Sequence, residues 1–518
     1  MIGSPKKVFF DEIEMMTRQE SSVEASKMPR TAVIAVVRDK KTGYLNAAPY
    51  SGGILSVDPF HIVFGVKSWD SKLVFEDAEE FTLAIPGKDQ VDQVWAAACS
   101  VPHGISEIDV AGWTEHPSRE IETPGIQECR INFECKKRHL IKLGGALRNI
   151  VIGEVVGIHI DSTLLAMSRA DSLQILPVHE AIQRHPYTGT YALSVLSGEV
   201  EGGWAASSER SGPPSAENRK HYVSQNHFKD PDARRTLITA LLPRPTYMIT
   251  FGESNGKTLA LPVMGGLIMH TKPAVQIPIP KRSAVYESIK RTGEFVISIP
   301  DRSLIDKLEA LERIAPADVG SVGLTHLPSH AVKTSGIAEC PVNIECTKYL
   351  LEDVPGADYA FLLGRKVGLS VDQEIAESQD YMKLYSTYPY AVMDCDFTRK
   401  WAFHDSRSLP MKPLPTWGSR YNGGWWGGPE QWQAGMQFWL VELLESGYIT
   451  EDEYHRIKRW ISWWRSEGYP APEPLRTEVR NRLTKLFNMM VYAHRDFDRW
   501  HAIHEYLRQF PYEGRWGC

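Results

Sequence analysis

The chain repeats itself, and that repeat limits what it can fold into more than any single motif does. Gly112–Ser118 returns as Gly323–Ser329, and Thr123–Cys135 returns as Thr334–Cys346, each 211 residues later. Gly153–Asp161 returns as Gly364–Asp372 at the same spacing. Upstream, Glu80–Pro86 is matched by Glu294–Pro300, and the stretch beginning at Asn46 is echoed by Leu259–Ile268. Collinear matches of this kind mean that one domain is present twice.

Each copy reads as short strands separated by Gly, Pro and Asp turns, with helical pieces such as Ser71–Glu79 and Arg282–Arg291. Many short strands predict a barrel rather than a parallel sheet. Residues 1–196 and 236–396 carry the copies, and 197–235, rich in Gly, Ser and charge, reads as a linker. Residues 397–518 change character to a Trp-rich helical extension. Phe438–Glu445, Glu451–Glu467 and Pro474–Leu507 show helical spacing, and Thr450 is a good N-cap for Glu451-Asp452-Glu453. The aromatic, Gly-rich run Tyr421–Pro429 reads either as a ligand-facing lid or as packing between helices and barrels.

Composition narrows the function. Hydrophobic residues at 42% and charged residues at 24% describe a soluble globular protein. A net charge of −6 with no basic stripe argues against nucleic acid as a partner. No apolar run of about 18 residues is present, so no membrane span is expected. The opening Met1–Glu12 turns acidic too early for a secretory signal. Seven cysteines without a C-x-x-C pair suit a reduced, cytoplasmic protein. Cys129 with Cys135, and Cys340 with Cys346, read as buried small hydrophobes rather than metal ligands. On the last helix Asp498, His501 and His504 share a face with His494 nearby, and Asp452 with His455 repeats the spacing. Helix bundles build metal sites from such sets, although most are surface charge. There is no dinucleotide fingerprint, Walker loop or nucleophile elbow.

The chemistry concentrates in Asn46-Ala47-Ala48-Pro49-Tyr50-Ser51-Gly52-Gly53-Ile54-Leu55-Ser56-Val57-Asp58-Pro59, between strands expected at Ala32–Val37 and His61–Val66. A loop of small and hydroxyl-bearing residues there leaves backbone N–H groups open to a flat, polar ligand. Lys67-Ser68-Trp69-Asp70-Ser71-Lys72 follows, with charge and hydroxyls suited to a phosphate. Met28-Pro29-Arg30-Thr31 with its apolar strand, the N-A-A-P-Y-S run, the S-V-D-P turn and the Lys/Ser segment together resemble the flavin reductase-like, FMN-binding split β-barrel family.

The resemblance implies a mainly β fold with α: two tandem FMN-binding split β-barrels that form a pseudo-dimer within one chain, a further homodimer being left open. It implies FMN near the junction, contacted by Asn46, Ala47, Ala48, Pro49, Tyr50, Ser51, Ser56, Lys67, Ser68, Ser71 and Lys72. In the second copy Leu259, Met264 and Met269 stand in place of Asn46, Ser51 and Ser56, so the first copy is expected to hold the main flavin. Two FMN per chain, the second helped by Lys281-Arg282-Ser283, is the alternative. NADH or NADPH would supply hydride, and a small organic molecule, aromatic or otherwise, would accept it. His185 and Tyr191 are the candidate proton donors, unless their segment is only a solvent-exposed turn. Two further functional readings stay open: supply of reduced FMN to a partner monooxygenase, or a non-catalytic protein binding flavin, haem or a metal.

Overall fold

The computed structural model describes residues 6–11, 31–40, 43–67, 75–90, 93–94, 97, 106–141, 148–175, 181–183, 190–192, 196–197, 220–252, 256–268, 274–354, 356–377, 387–393, 399–404 and 450–451. Outside them lie the Asp498, His501, His504, His494, Asp452 and His455 set, the Tyr421–Pro429 run and the predicted helices Phe438–Glu445, Glu451–Glu467 beyond Glu451, and Pro474–Leu507.

The first half runs through β1 (Lys7–Asp11), β2 (Thr31–Arg38), β3 (Leu45–Val57), β4 (Phe60–Lys67), β5 (Glu80–Ile85), β6 (Glu115–His116), β7 (Gly125–Ile126), β8 (Ile131–Ile141) and β9 (Arg148–Asp161). Short strands β10 (Ala181–Gln183), β11 (Thr190–Ala192) and β12 (Leu196–Ser197) follow. The second half begins with β13 (Lys220–Ser224), β14 (Arg244–Gly252), β15 (Thr258–Met264), β16 (Leu267–Ile268), β17 (Ala274–Pro280) and β18 (Glu294–Ile299). It ends with β19 (His326–Leu327), β20 (Gly336–Ile337), β21 (Val342–Asp353), β22 (Tyr359–Asp372), β23 (Tyr390–Met393) and β24 (Arg399–His404).

Alternation along each strand builds the layers. Val33, Ala35 and Val37 of β2 join one core cluster, while Ala32, Ile34 and Val36 join another beneath Ile108, Ala111 and Trp113. β9, β4, β3, β2, β5 and β8 close into an antiparallel ring because β9 pairs with both β4 and β8. The second half repeats the ring with β22, β17, β16, β15, β14, β18 and β21, where Gly265-Gly266 interrupts the counterpart of β3.

The halves exchange their leading segments. β13, which introduces the second half, pairs with β9 of the first, with Tyr222 opposite His159. β1, which introduces the first half, pairs with β22 of the second, with Phe9 opposite Ser370. The lysines at the starts of these strands act alike: Lys220 donates to the Cys129 carbonyl and Lys7 to the Cys340 carbonyl. Phe10 is buried in the second core, and Leu241 and Leu242, just ahead of β14, pack in the first. Each barrel is therefore completed by residues that lead into the other. Between them, Leu55, Val63, Ile150 and Ile152 share one apolar cluster with Val354, Tyr359, Phe361 and Leu363. This seam holds the halves face to face.

One expectation changes. The stretch from Asn46 is no open loop: Leu45–Val57 is a single strand, and the turn is confined to Asp58-Pro59. Sequence patterning missed it because the run holds few β-branched residues, and pairing with β2 and β4 overrides that weak propensity. Within 197–235, Lys220–Ser224 is a strand of the first sheet, and β24, beyond residue 396, continues the second. Cys129 precedes β8, and Cys135 lies within it. All four of these cysteines are buried thiols, as expected of small hydrophobes. Among the described residues no helix is long and apolar enough to cross a membrane.

Candidate functional site

β3 pairs with β2 along Leu45–Gly52, but β4 covers its other edge only from Gly52 onward. On an antiparallel strand alternate N–H groups face one edge, here those of residues 47, 49 and 51. Ala47 N–H donates to the Glu107 carboxylate at 3.0 Å. Pro49 has no N–H, which suits a strand edge. Ser51 is the next donor along it. Asn46 is buried, and its amide donates to Glu107 at 3.4 Å, as the Tyr44 hydroxyl does at 3.2 Å.

Glu107 is placed by a short helix, Glu107–Ala111, with Ser106 accepting from Ile108 N–H at its start and Gly112 in the left-handed region at its end. In the second half the same edge is closed by backbone alone, Ala260 and Ala317 exchanging hydrogen bonds. Asn46 and Ala47 are thus tied to an internal carboxylate. Glu107→Ala is expected to destabilise the fold by about 1–3 kcal/mol in urea unfolding, since the buried Ala47 N–H loses its acceptor. Glu107→Gln should recover part of the loss, and a neutral Ala variant would mean that the edge is closed by other groups.

At the far end of β3 the second half reaches in. The Ser56 hydroxyl hydrogen-bonds Tyr359, whose O–H shares a 2.6 Å bond with His61 Nδ1. Burial pushes the Tyr359 phenol up and the His61 imidazole down, the latter partly opposed by the Glu154 carboxylate. Beside them Gly265 meets the same strand: a Cβ there would lie 2.8 Å from the Ile54 carbonyl oxygen. At the mouth of the β4–β9 ladder Lys67 stands opposite Arg148, a cation that sequence reading did not single out. Its counterparts in the second half are Pro280 and Tyr359.

A second polar chain is confined to the first half. His159 Nε2–H donates to Glu134 at 2.5 Å, its Nδ1 shares a 3.0 Å bond with His116 Nε2, and His116 Nδ1 meets Gln127 Oε1 at 2.6 Å. Glu134 also accepts the Arg119 and Glu120 N–H groups, as Glu345 accepts those of His330 and Ala331 in the second half. Leu327 and Ser370 replace the two histidines there. The carboxylate therefore caps a loop in both halves, and the histidines are an addition.

Burial, followed by the neighbouring His159, lowers the His116 pKa to about 4. A depressed histidine resists protonation when folded, so its contribution is intact above the unfolded value near 6.5 and is lost as pH falls toward 4. We expect a loss of about 1–3 kcal/mol over that window, after allowance for partial exposure. His116→Leu should flatten stability against pH there. An unchanged slope would contradict the assignment.

Of the residues expected to contact FMN, Ala48, Pro49 and Ser56 are half-buried, and Asn46, Ala47 and Tyr50 are buried, Tyr50 5.6 Å from the Phe64 ring. Ser51 and Lys67 are placed in strands, as is Tyr191. Ser68, Ser71, Lys72 and His185 lie outside the described residues. FMN asks for backbone donors along a flat edge and cations for its phosphate. At the matching strand positions the first half carries Ser51, Lys67 and Arg148, and the second Met264, Pro280 and Tyr359. Among the described residues no group of three His, Cys, Asp or Glu is placed to hold a metal ion.

The flavin reductase like domain description matches residues 25–172 and again 239–392. The chain belongs to the flavin reductase-like family. An uncharacterized protein of Methanothermobacter thermautotrophicus is 30% identical over 128 residues, which are 24% of this chain and 60% of that protein. One of Halalkalibacterium halodurans is 28% identical over 162 residues, 29% of this chain and 77% of that protein. Among solved structures, nitrilotriacetate monooxygenase component B of Bacillus cereus is 27% identical, covering 32% of this chain and 84% of its own, with a TM-score of 0.29. An FMN-binding protein of Thermus thermophilus is 14% identical, covering 34% and 90%, with a TM-score of 0.28. In this flavin reductase-like chain the domain occurs twice, and each copy is one barrel.

Proposed function

We propose that this protein is an FMN-dependent oxidoreductase whose first half binds one FMN and whose second half encloses it. NADH or NADPH is the hydride donor and a small organic molecule the acceptor. The reading is carried by the asymmetry of two otherwise matching strand edges: Ser51, Lys67 and Arg148 in one, Met264, Pro280 and Tyr359 in the other. The flavin, when bound, supplies the redox chemistry. The chain's part is to bind, orient and exclude water. Glu107 closes the start of the β3 edge, and Ser51 is the next backbone donor along it among the described residues. Lys67 and Arg148 supply charge for the phosphate. Tyr359 and His61 seal the end of the strand with a buried hydrogen bond. His185 and Tyr191 remain the proposed proton donors.

The test is the visible spectrum of the purified protein, with FMN added if it emerges colourless. Oxidised-flavin absorption that bleaches on anaerobic addition of NADH or NADPH is the expected result. A protein that takes up no flavin would overturn the proposal, and bound flavin that neither nucleotide reduces would overturn its catalytic part.

A further inference from the structure

Arginines in the described interior of this molecule are answered. Arg169 donates to the Thr239 and Leu241 carbonyls, and Arg130 bonds Asp161 and Asp89. Arg399 bonds Glu312 and lies near Glu309. Arg244 is different. It opens β14 and is part-buried, and its guanidinium has no hydrogen-bond or ion-pair partner among the described residues. Of the charges that act on it, Arg399 is like-signed and Glu312 is already held by Arg399. Desolvation, followed by the Arg399 cation, pulls its pKa down. A cation held partly out of water with no counter-charge among the described residues leaves room for a ligand to supply one.

Its position says where that charge would come from. The point at which a Cβ on Gly265 would sit is 3.9 Å from Arg244 Cδ and 2.8 Å from the Ile54 carbonyl oxygen of β3. The Gly265-Gly266 turn is held in place: Gly265 N–H donates to the Pro245 carbonyl at 2.9 Å and the Tyr247 hydroxyl to the Gly265 carbonyl at 2.8 Å. The arginine stem therefore lies against a fixed wall at the junction of the halves, beside the strand to which the flavin site is assigned above.

We propose that Arg244 is an anion-binding residue of the second half, receiving a carboxylate or phosphate group of a ligand at the seam. A guanidinium fork meets either group with two parallel hydrogen bonds. The inference rests on the seam being the ligand-binding face. It gives the ligand a chemical class, an organic acid or a phosphorylated molecule. The second half thus takes part in binding although its own flavin residues are replaced.

Calorimetric titration of the full-length protein and of its Arg244→Gln and Arg244→Lys variants with benzoate, inorganic phosphate, FMN and riboflavin tests this. The expected result is a tenfold or larger rise in Kd for an anionic probe in Arg244→Gln and a smaller rise in Arg244→Lys. FMN weakened while riboflavin is unchanged identifies the anion as the flavin phosphate. Benzoate weakened while FMN is unchanged identifies it as the carboxylate of a second molecule. The ligand-free Tm should not fall in Arg244→Gln, because no partner among the described residues is lost; a structural ion pair would lower it and overturn the proposal. Equal binding of every probe by wild type and Arg244→Gln, or no anion bound by wild type, overturns the proposal. A protein that binds phosphate or benzoate through Arg244 but takes up no FMN would sink the flavin reading alone.

Discussion

Phe10→Ala, a change near the N-terminus, is expected to weaken the second barrel rather than the first. Phe10 is 3% exposed in the second core, packed with residues such as Leu369 and Val371, and pairs with Leu369 in the β1–β22 ladder. Removing a buried phenyl ring costs about 3–5 kcal/mol, through lost burial and the cavity left behind. Hydrogen exchange should show protection falling in β21 and β22 well before β8 and β9. A loss confined to the first half, or a variant as stable as wild type, would contradict the strand exchange.

Gly265→Val should be nearly as damaging, for a different reason. Gly265 has φ +97°, a region that a β-branched residue avoids at a cost of about 1–3 kcal/mol. Its Cβ would also overlap the Ile54 carbonyl across the seam. The second penalty is what parts the halves. Gly43→Ala is the control: Gly43 has φ +73° but nothing within 4 Å of where a Cβ would stand, so it meets only the backbone cost. We expect Gly265→Val to lower the Tm further than Gly43→Ala and to lose bound FMN. Equal effects would mean that the contact with Ile54 is immaterial.

The duplication was fully legible in the sequence, because the repeated Gly, Pro and Cys positions serve backbone and core roles that both copies need. Gly125 and Gly336 show it: a Cβ at either would strike its own Asn132 or Asn343 side chain. The exchange of β1 and β13 was not legible, since five-residue strands carry no sign of which distant edge they join. β3 was misread as a loop because Ala, Pro, Ser and Gly signal turns locally, while its partners are set by tertiary contact. Glu107 escaped notice for a related reason. Its helix is short and its role depends on an unpaired strand edge that only the fold reveals. Asn46 drew attention as a ligand for a cofactor, and the fold gives it a partner within the chain. Tyr359 could not have been linked to Ser56, some three hundred positions away, without the seam.

Counting FMN per chain tests the whole account most directly. Apoprotein titrated with FMN, with the end point read against protein concentration, should saturate at one flavin per chain, bound by the half that carries Lys67 and Arg148. Two flavins per chain, or none, would contradict it.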